Sequence, residues 1–325
     1  MKVKWHGHLS QERDLPGGGP QGCSVGLLEY DSQTNNNCDF VPEDERYKFV
    51  DDLSVLEIIN LISVGVSSYN FKQHVASDIA VNELYIPPQN ISSPDYMHEI
   101  EDWTRLNKMK LNDKKSKVMI FNLTNNYQFS TRIPLENSVL EIVEEARLLG
   151  CVISSDLSWY RNTEYMVKRA YQRMIILRRL YSYSVPVEDL VNIYCLYIRS
   201  LVEQNSNVWT HSITQEETND IERVQKVACR IILKEDYDCY ESALTQLNLE
   251  TLESRRQGLS LRFAKKCLKN ENSRSMFPLN PNFSENSRQT EKYHVKFAST
   301  GRLYDSAIPA MQRALNEDYR LRENN

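Results

Sequence analysis

The sequence predicts an α+β chain in which a mixed first half gives way to an all-helical second half. Three observations carry this reading. Short β-forming runs separated by polar, Gly- and Pro-containing connections occupy residues 1–160. Beyond residue 160 the apolar residues recur every three or four positions. A chain of 325 residues, 41% hydrophobic and 26% charged, is long enough for two or three compact units with real cores. The expected organisation is a β-containing domain over 1–160, a helical region over 161–270, and a loosely structured segment over 271–325 that ends in a short helix.

In chain order, Met1–His6 alternates as a strand does. Leu15-Pro-Gly-Gly-Gly-Pro-Gln-Gly22 is a glycine-rich loop that opens into an expected helix over 23–34. Such a loop lets backbone approach a ligand closely and aims N–H groups at an anion, although no Gly-Lys-Ser/Thr follows to make it a Walker loop. Tyr47-Lys-Phe-Val-Asp-Asp-Leu-Ser-Val-Leu56 reads as strand–turn–strand, with Asp51 and Asp52 at or beside the turn. Tyr96, Ile100, Trp103 and Leu106 have helical spacing. Lys114, Lys115 and Lys117 belong to a basic turn feeding a strand at 117–122, and Ala146–Trp159 is a second strand–turn–strand unit.

The helical half divides at Pro186. Tyr165, Ala170, Met174, Leu177 and Tyr181 mark a long first helix, with Arg169, Arg173 and Arg179 off its apolar face. Leu190, Ile193, Tyr194, Tyr197 and Leu201 mark a second, and Ile221, Val224, Ala228, Ile231 and Ile232 a third. Leu252, Leu259, Phe263 and Leu268 mark a fourth, studded with Arg255, Arg256, Lys265 and Lys266. Residues 303–316 suit a short terminal helix.

Composition narrows the function classes. Seven scattered cysteines without a Cys-x-x-Cys pair point to reduced thiols, and six isolated histidines show no zinc-ligand spacing. Lys2, Lys4 and His6 interrupt any early apolar run, and the longest apolar stretch, 55–66, contains Glu57 and Asn60 and is too short to span a bilayer. A soluble intracellular protein, of cytoplasm or nucleus and without a membrane partner, is the expectation. The net charge of −5 argues against a uniformly basic nucleic-acid binder. The charge is unevenly placed, however: residues 1–150 hold 14 basic and 22 acidic side chains, whereas 161–181 holds six against one and 254–274 seven against one. Basic faces on a neutral region can hold a phosphate backbone, while a solvated helix face is the commoner meaning of such runs.

These stretches, in this order, resemble the reverse transcriptases of non-LTR retrotransposons. The loop with Gly19-Pro20-Gln21-Gly22 looks like motif B, which contacts template and incoming nucleotide. Phe49-Val50-Asp51-Asp52 is similar to motif C, the palm hairpin whose first aspartate binds metal. Trp103 to Asn112 with Lys115-Ser116-Lys117 resembles motif D, in which a lysine lies near the triphosphate. Leu148-Leu149-Gly150-Cys151-Val152, with Leu157-Ser158-Trp159, looks like the primer grip. Tyr197-Ile198-Arg199, Val208-Trp209, Ile221-Glu222-Arg223-Val224-Gln225 and Leu252-Glu253-Ser254-Arg255-Arg256 resemble the thumb and the region behind it. The resemblance covers most of residues 1–270 and implies a partial palm of antiparallel sheet and packed helices followed by a thumb.

The implied chemistry is attack of a primer 3′-hydroxyl on a deoxynucleoside triphosphate over an RNA or DNA template, with two divalent ions about 3.5–4 Å apart. Asp51 and Asp52 are the implied metal-binding acids for Mg²⁺ or Mn²⁺. Gly19, Pro20, Gln21, Gly22, Lys115 and Lys117 are the implied nucleotide and template contacts, and Leu149 and Gly150 the implied primer grip. One departure matters: the family places fingers and an aspartate-bearing strand, motif A, ahead of the glycine loop, and Glu12 and Asp14 lie in a polar loop instead. The expectation is therefore a chain inactive in isolation, a truncated member of the lineage. A non-catalytic nucleic-acid-binding module built on the helical half, and a degenerate retrotransposon relic, are the alternatives.

Overall fold

The computed structural model describes residues 4–5, 8–9, 46–49, 52–55, 83–85, 93–106, 111–112, 114–122, 128–130, 132–135, 138–283 and 291–323. The chain divides into two units, Met1–Glu144 and Glu145–Asn325. Both helices and small sheets are present, as an α+β class requires. Among the described residues no helix is long and apolar enough to cross a membrane.

Among its described residues the first unit holds short ladders and one helix. β1 (Lys4–Trp5) pairs with β2 (His8–Leu9), so the opening strand has a partner that alternation over 1–6 did not indicate. β3 (Arg46–Phe49) and β4 (Asp52–Val55) form an antiparallel hairpin in which Phe49 faces Asp52. β5 (Glu83–Tyr85) runs parallel to β7 (Gln128–Ser130). β6 (Lys117–Val118) runs parallel to β10 (Glu141–Ile142), and β8 (Pro134–Leu135) pairs antiparallel with β9 (Ser138–Val139). Helix α1 (Ser93–Leu106) has Pro94 in its first turn, where the missing N–H costs nothing, and buries Ile100.

Every sheet among the described residues has two strands, and two of the six are parallel. A continuous antiparallel palm sheet is therefore not what these residues form. The strand expected over 117–122 is paired only at Lys117 and Val118; Ile120 to Asn122 follow it without a ladder. The helix expected over 23–34 lies outside the described residues.

The second unit starts with a hairpin, β11 (Glu145–Leu148) and β12 (Cys151–Ser154), and continues as a helical bundle. α2 (Tyr160–Ser182) buries Met166, Ala170, Met174 and Leu177, spaced three or four apart on one face. That face packs along α6 (Gln215–Leu233), which buries Ile221, Val224, Ala228 and Ile232. α6 begins in a capping box: Thr214 Oγ1 accepts the Glu217 N–H at 3.2 Å, and Glu217 Oε2 accepts the Thr214 N–H at 2.7 Å.

Between them, α3 (Val187–Ile193) begins just after Pro186 and runs into a π-helical turn, Tyr194–Arg199, and then α4 (Ser200–Glu203). A π turn takes more residues per revolution than an α turn, so the fully buried row becomes Leu190, Tyr194, Ile198 and Val202, at intervals of four, with Leu201 buried beside it as expected. Tyr197, expected inside, is 41% exposed, and Ile198 takes its place. The short α5 (Ser206–Trp209) presents Trp209 to the core.

α7 (Tyr240–Gln246) and α8 (Leu252–Cys267) complete the bundle, and Thr251 Oγ1 caps α8 by accepting the Ser254 N–H at 3.2 Å. The buried face of α8 is Leu252, Arg256, Ser260, Ala264 and Cys267. Leu259 is only half-buried and Phe263 is 41% exposed, so the fourth apolar stripe lies about a quarter-turn from its expected place.

After α9 (Glu271–Arg274) and α10 (Gly301–Tyr304), helix α11 (Ala307–Glu323) packs on α8. It buries Met311 and Leu315 with Ala264, Cys267 and Phe277 in a second, smaller core. Asn316 ties the preceding strap to α11: its Oδ1 accepts the Tyr293 N–H at 2.8 Å, and its Nδ2 donates to the Tyr293 carbonyl at 2.9 Å. The C-terminal segment thus carries a 17-residue packed helix rather than a loose tail with a short one.

Candidate functional site

The β3–β4 hairpin carries one of the two adjacent acids, Asp52, on a paired strand. Because Phe49 is opposite Asp52, Val50 and Asp51 are the two residues that join the strands, and Asp52 opens β4. Asp51 itself, together with Gly19, Pro20, Gln21 and Gly22, lies outside the described residues. Among the described residues no three His, Cys, Asp or Glu side chains gather as a metal site.

Lys115 sits in the turn before β6, where its N–H and that of Ser116 donate to the Asn112 carbonyl at 3.0 and 2.9 Å. Its side chain is exposed. Lys117 forms an ion pair with Glu141 across the parallel β6–β10 ladder. Its charge is thus shared with a protein carboxylate.

Leu149 and Gly150 form the two-residue turn of β11–β12, with φ of 47° and 88°. Positive φ at both positions is the type I′ geometry that matches strand twist, and it favours glycine at the second. The turn is docked. Asn205, itself left-handed at φ 53°, donates from Nδ2 to the Leu149 carbonyl at 2.8 Å and to Cys151 Sγ at 3.3 Å. A Cβ on Gly150 would run into the Gln204 side chain. The strand just past the turn is fixed as well, because the Val152 N–H donates to Oδ1 of the buried Asn162 in α2 at 3.1 Å.

The implied primer grip is therefore a hairpin whose turn end is docked on the helices that follow it. Gly150→Ala is expected to cost about 1–2 kcal/mol, from left-handed backbone strain with the Gln204 clash added. The shift in urea midpoint measures it, and an unchanged midpoint would show that neither the backbone strain nor the Gln204 contact resists the methyl group.

The two basic runs have different fates. In 254–274, Arg256 is 1% exposed, Arg255 pairs with Glu203, and Lys265 pairs with Asp318 of α11 at 2.6 Å. Much of this charge serves packing, which corrects its reading as a basic surface. In 161–181, Arg161 pairs with Glu145 at 2.8 Å and Glu164 at 3.3 Å. Arg169 and Arg173 are instead held by aromatic rings. Arg169 donates to the Tyr165 hydroxyl at 3.0 Å with its guanidinium 5.3 Å from that ring. Arg173 lies 4.1 Å from the Tyr197 ring and donates to the Tyr197 carbonyl.

Two polar clusters escape apolar periodicity. The first links four helical elements. Tyr194 donates to Gln225 Oε1 at 2.7 Å, and Gln225 Nε2 donates to the Glu250 carbonyl at 2.8 Å and the Tyr240 hydroxyl at 2.9 Å. Tyr240 donates to Glu222, whose other oxygen accepts the Leu252 N–H at 3.0 Å. Burial first, and then the bond to Glu222, hold the Tyr240 phenol far above its ordinary range.

In the second cluster, His211 Nε2 lies 2.8 Å from Ser260 Oγ, the spacing of a base and a nucleophile. Ser260 is 1% exposed, so no substrate reaches it and the pair is a tie between the α5–α6 connection and α8. Burial, with Arg313 nearby, pulls the His211 imidazole below its usual value and keeps it neutral.

Comparison of the chain with protein-family models, with curated proteins and with solved structures finds no match.

Proposed function

We propose that the chain is of non-LTR reverse transcriptase lineage, with residues 46–55 as the palm hairpin and Glu145–Asn325 as a thumb-like unit that holds template–primer. The observation that carries this reading is the Phe49–Asp52 pairing, which leaves Val50 and Asp51 as the joining residues. Adjacent acids in such a hairpin suit a hard divalent ion, which supports the reading. The second hairpin leading directly into a helical bundle supports the same order of parts.

Asp51 and Asp52 would hold Mg²⁺ or Mn²⁺, which would supply charge neutralisation at the triphosphate. A two-metal centre needs a further carboxylate from a neighbouring strand. In the sequence, Glu12 and Asp14 lie in a polar run rather than an alternating apolar one, so the acids at the hairpin are read as an incomplete centre.

Two measurements test the reading on the purified chain. With primer–template, deoxynucleotides and Mg²⁺ or Mn²⁺, no extension is expected; robust extension abolished by Asp51→Ala would overturn the incomplete-centre view. Salt-sensitive binding of primer–template is expected by fluorescence anisotropy. No binding at low salt would remove the thumb reading.

A further inference from the structure

Tyr165, Arg169 and Arg173 stand at intervals of four on α2 and so form one stripe about 12 Å long. Arg147, on β11, closes one end of it with its guanidinium 5.2 Å from the Tyr165 ring. Tyr197, from the π turn, flanks the other end, with Leu196 beside it 78% exposed. Among the described residues none of the three arginines pairs with a carboxylate. The adjacent acids Glu145 and Glu164 are both taken by Arg161. Aromatic rings thus fix the guanidiniums without neutralising them, leaving their charge for an incoming anion. Arg173 stacked on Tyr197 also makes a planar platform with exposed apolar surface beside it, which suits an unpaired base.

We propose that Arg147, Tyr165, Arg169, Arg173 and Tyr197 form a binding strip for single-stranded nucleic acid, its phosphates on the guanidiniums and a base on the Arg173–Tyr197 platform. The proposal rests on the reading of the helical unit as one that holds nucleic acid, and it names the strand type and the residues that hold it. A duplex has no splayed base for the platform and gains only the charge interactions.

The test uses the full chain and a fluorescein-labelled single-stranded 16-mer, followed by anisotropy between 50 and 200 mM salt. Replacing Arg147, Arg169 and Arg173 together by Gln is expected to reduce the slope of log K against log salt by about 2, at roughly 0.7 for each phosphate no longer neutralised. The exposed set Arg262→Gln, Lys266→Gln and Lys269→Gln on and just after α8 is expected to leave the slope nearly unchanged. Tyr197→Ala is expected to weaken single-strand binding about tenfold, the equivalent of one base–ring stack, with duplex binding much less affected. Far-UV circular dichroism verifies that each variant is folded, and single Arg→Gln variants, each removing about 0.7 of slope, stand in for a triple variant that is not.

If wild-type protein binds but the strip variant keeps the full slope, or if duplex binds as tightly as single strand, the strip assignment is wrong while the thumb reading stands. If wild-type protein binds no nucleic acid, both fall.

Discussion

Trp209→Ala is expected to lower the stability of the helical unit by about 3–5 kcal/mol, the range for removing a fully buried large aromatic. The ring has no solvent exposure, and its Nε1 donates to the Gln204 carbonyl at 2.9 Å. It also lies 5.7 Å from the guanidinium of Arg256, whose Nε donates to Thr210 Oγ1 at 3.2 Å and whose Nη1 has no partner. A charged group buried without a carboxylate in direct contact depends heavily on what surrounds it. Alanine would leave a cavity and also strip Arg256 of its aromatic neighbour. Gln204 and Asn205 are the residues on which the Leu149–Gly150 turn rests, so the loss should spread to the hairpin. Urea unfolding followed by far-UV circular dichroism reports mainly on this unit, which holds all the described helices except α1. Trp209→Phe should cost less than half as much. A loss below about 1 kcal/mol for alanine would mean that the site collapses without consequence.

What could be read in advance follows from which residues an apolar period can count. α2 and α6 pack long, regular faces, so Met174 and Leu177, or Ile221, Val224 and Ala228, announce themselves at helical spacing. The rod after Pro186 departs from its apolar phase because a π turn has no simple apolar signature, and one inserted residue exchanges Tyr197 for Ile198. α8 departs for a different reason. Its buried stripe contains Arg256 and Ser260, which a hydrophobic count scores as surface, although each finds a polar partner inside. In the first unit the hairpin at 46–55 is legible from alternation around Asp51 and Asp52. Two parallel ladders are not, since each joins two- or three-residue segments distant in sequence. Of the site itself, the stretches Glu222-Arg223-Val224-Gln225 and Arg255-Arg256 stand out by resemblance alone. Their structural use, a closed hydrogen-bond circuit and a buried cation, depends on Tyr194, Tyr240 and Trp209, which are remote in sequence.

Glu222→Ala is the second large effect, expected at about 2–4 kcal/mol, because it orphans more than one group at once. The carboxylate accepts the Leu252 N–H at the start of α8, one of the four donors a helix cannot satisfy internally, and it also accepts the Tyr240 hydroxyl. Gln225 depends on the same circuit: its one carbonyl and two N–H donors are all occupied, by Tyr194, Tyr240 and Glu250. Glu222→Gln keeps an acceptor for one of the two donors and should recover about half of the loss. Tyr240→Phe removes one partner of the carboxylate, so its cost and that of Glu222→Ala should not add. A double-mutant cycle from urea midpoints is expected to give a coupling of about 1–2 kcal/mol. Strict additivity would mean that the phenol and the carboxylate act independently, and the circuit would then not be cooperative at Tyr240.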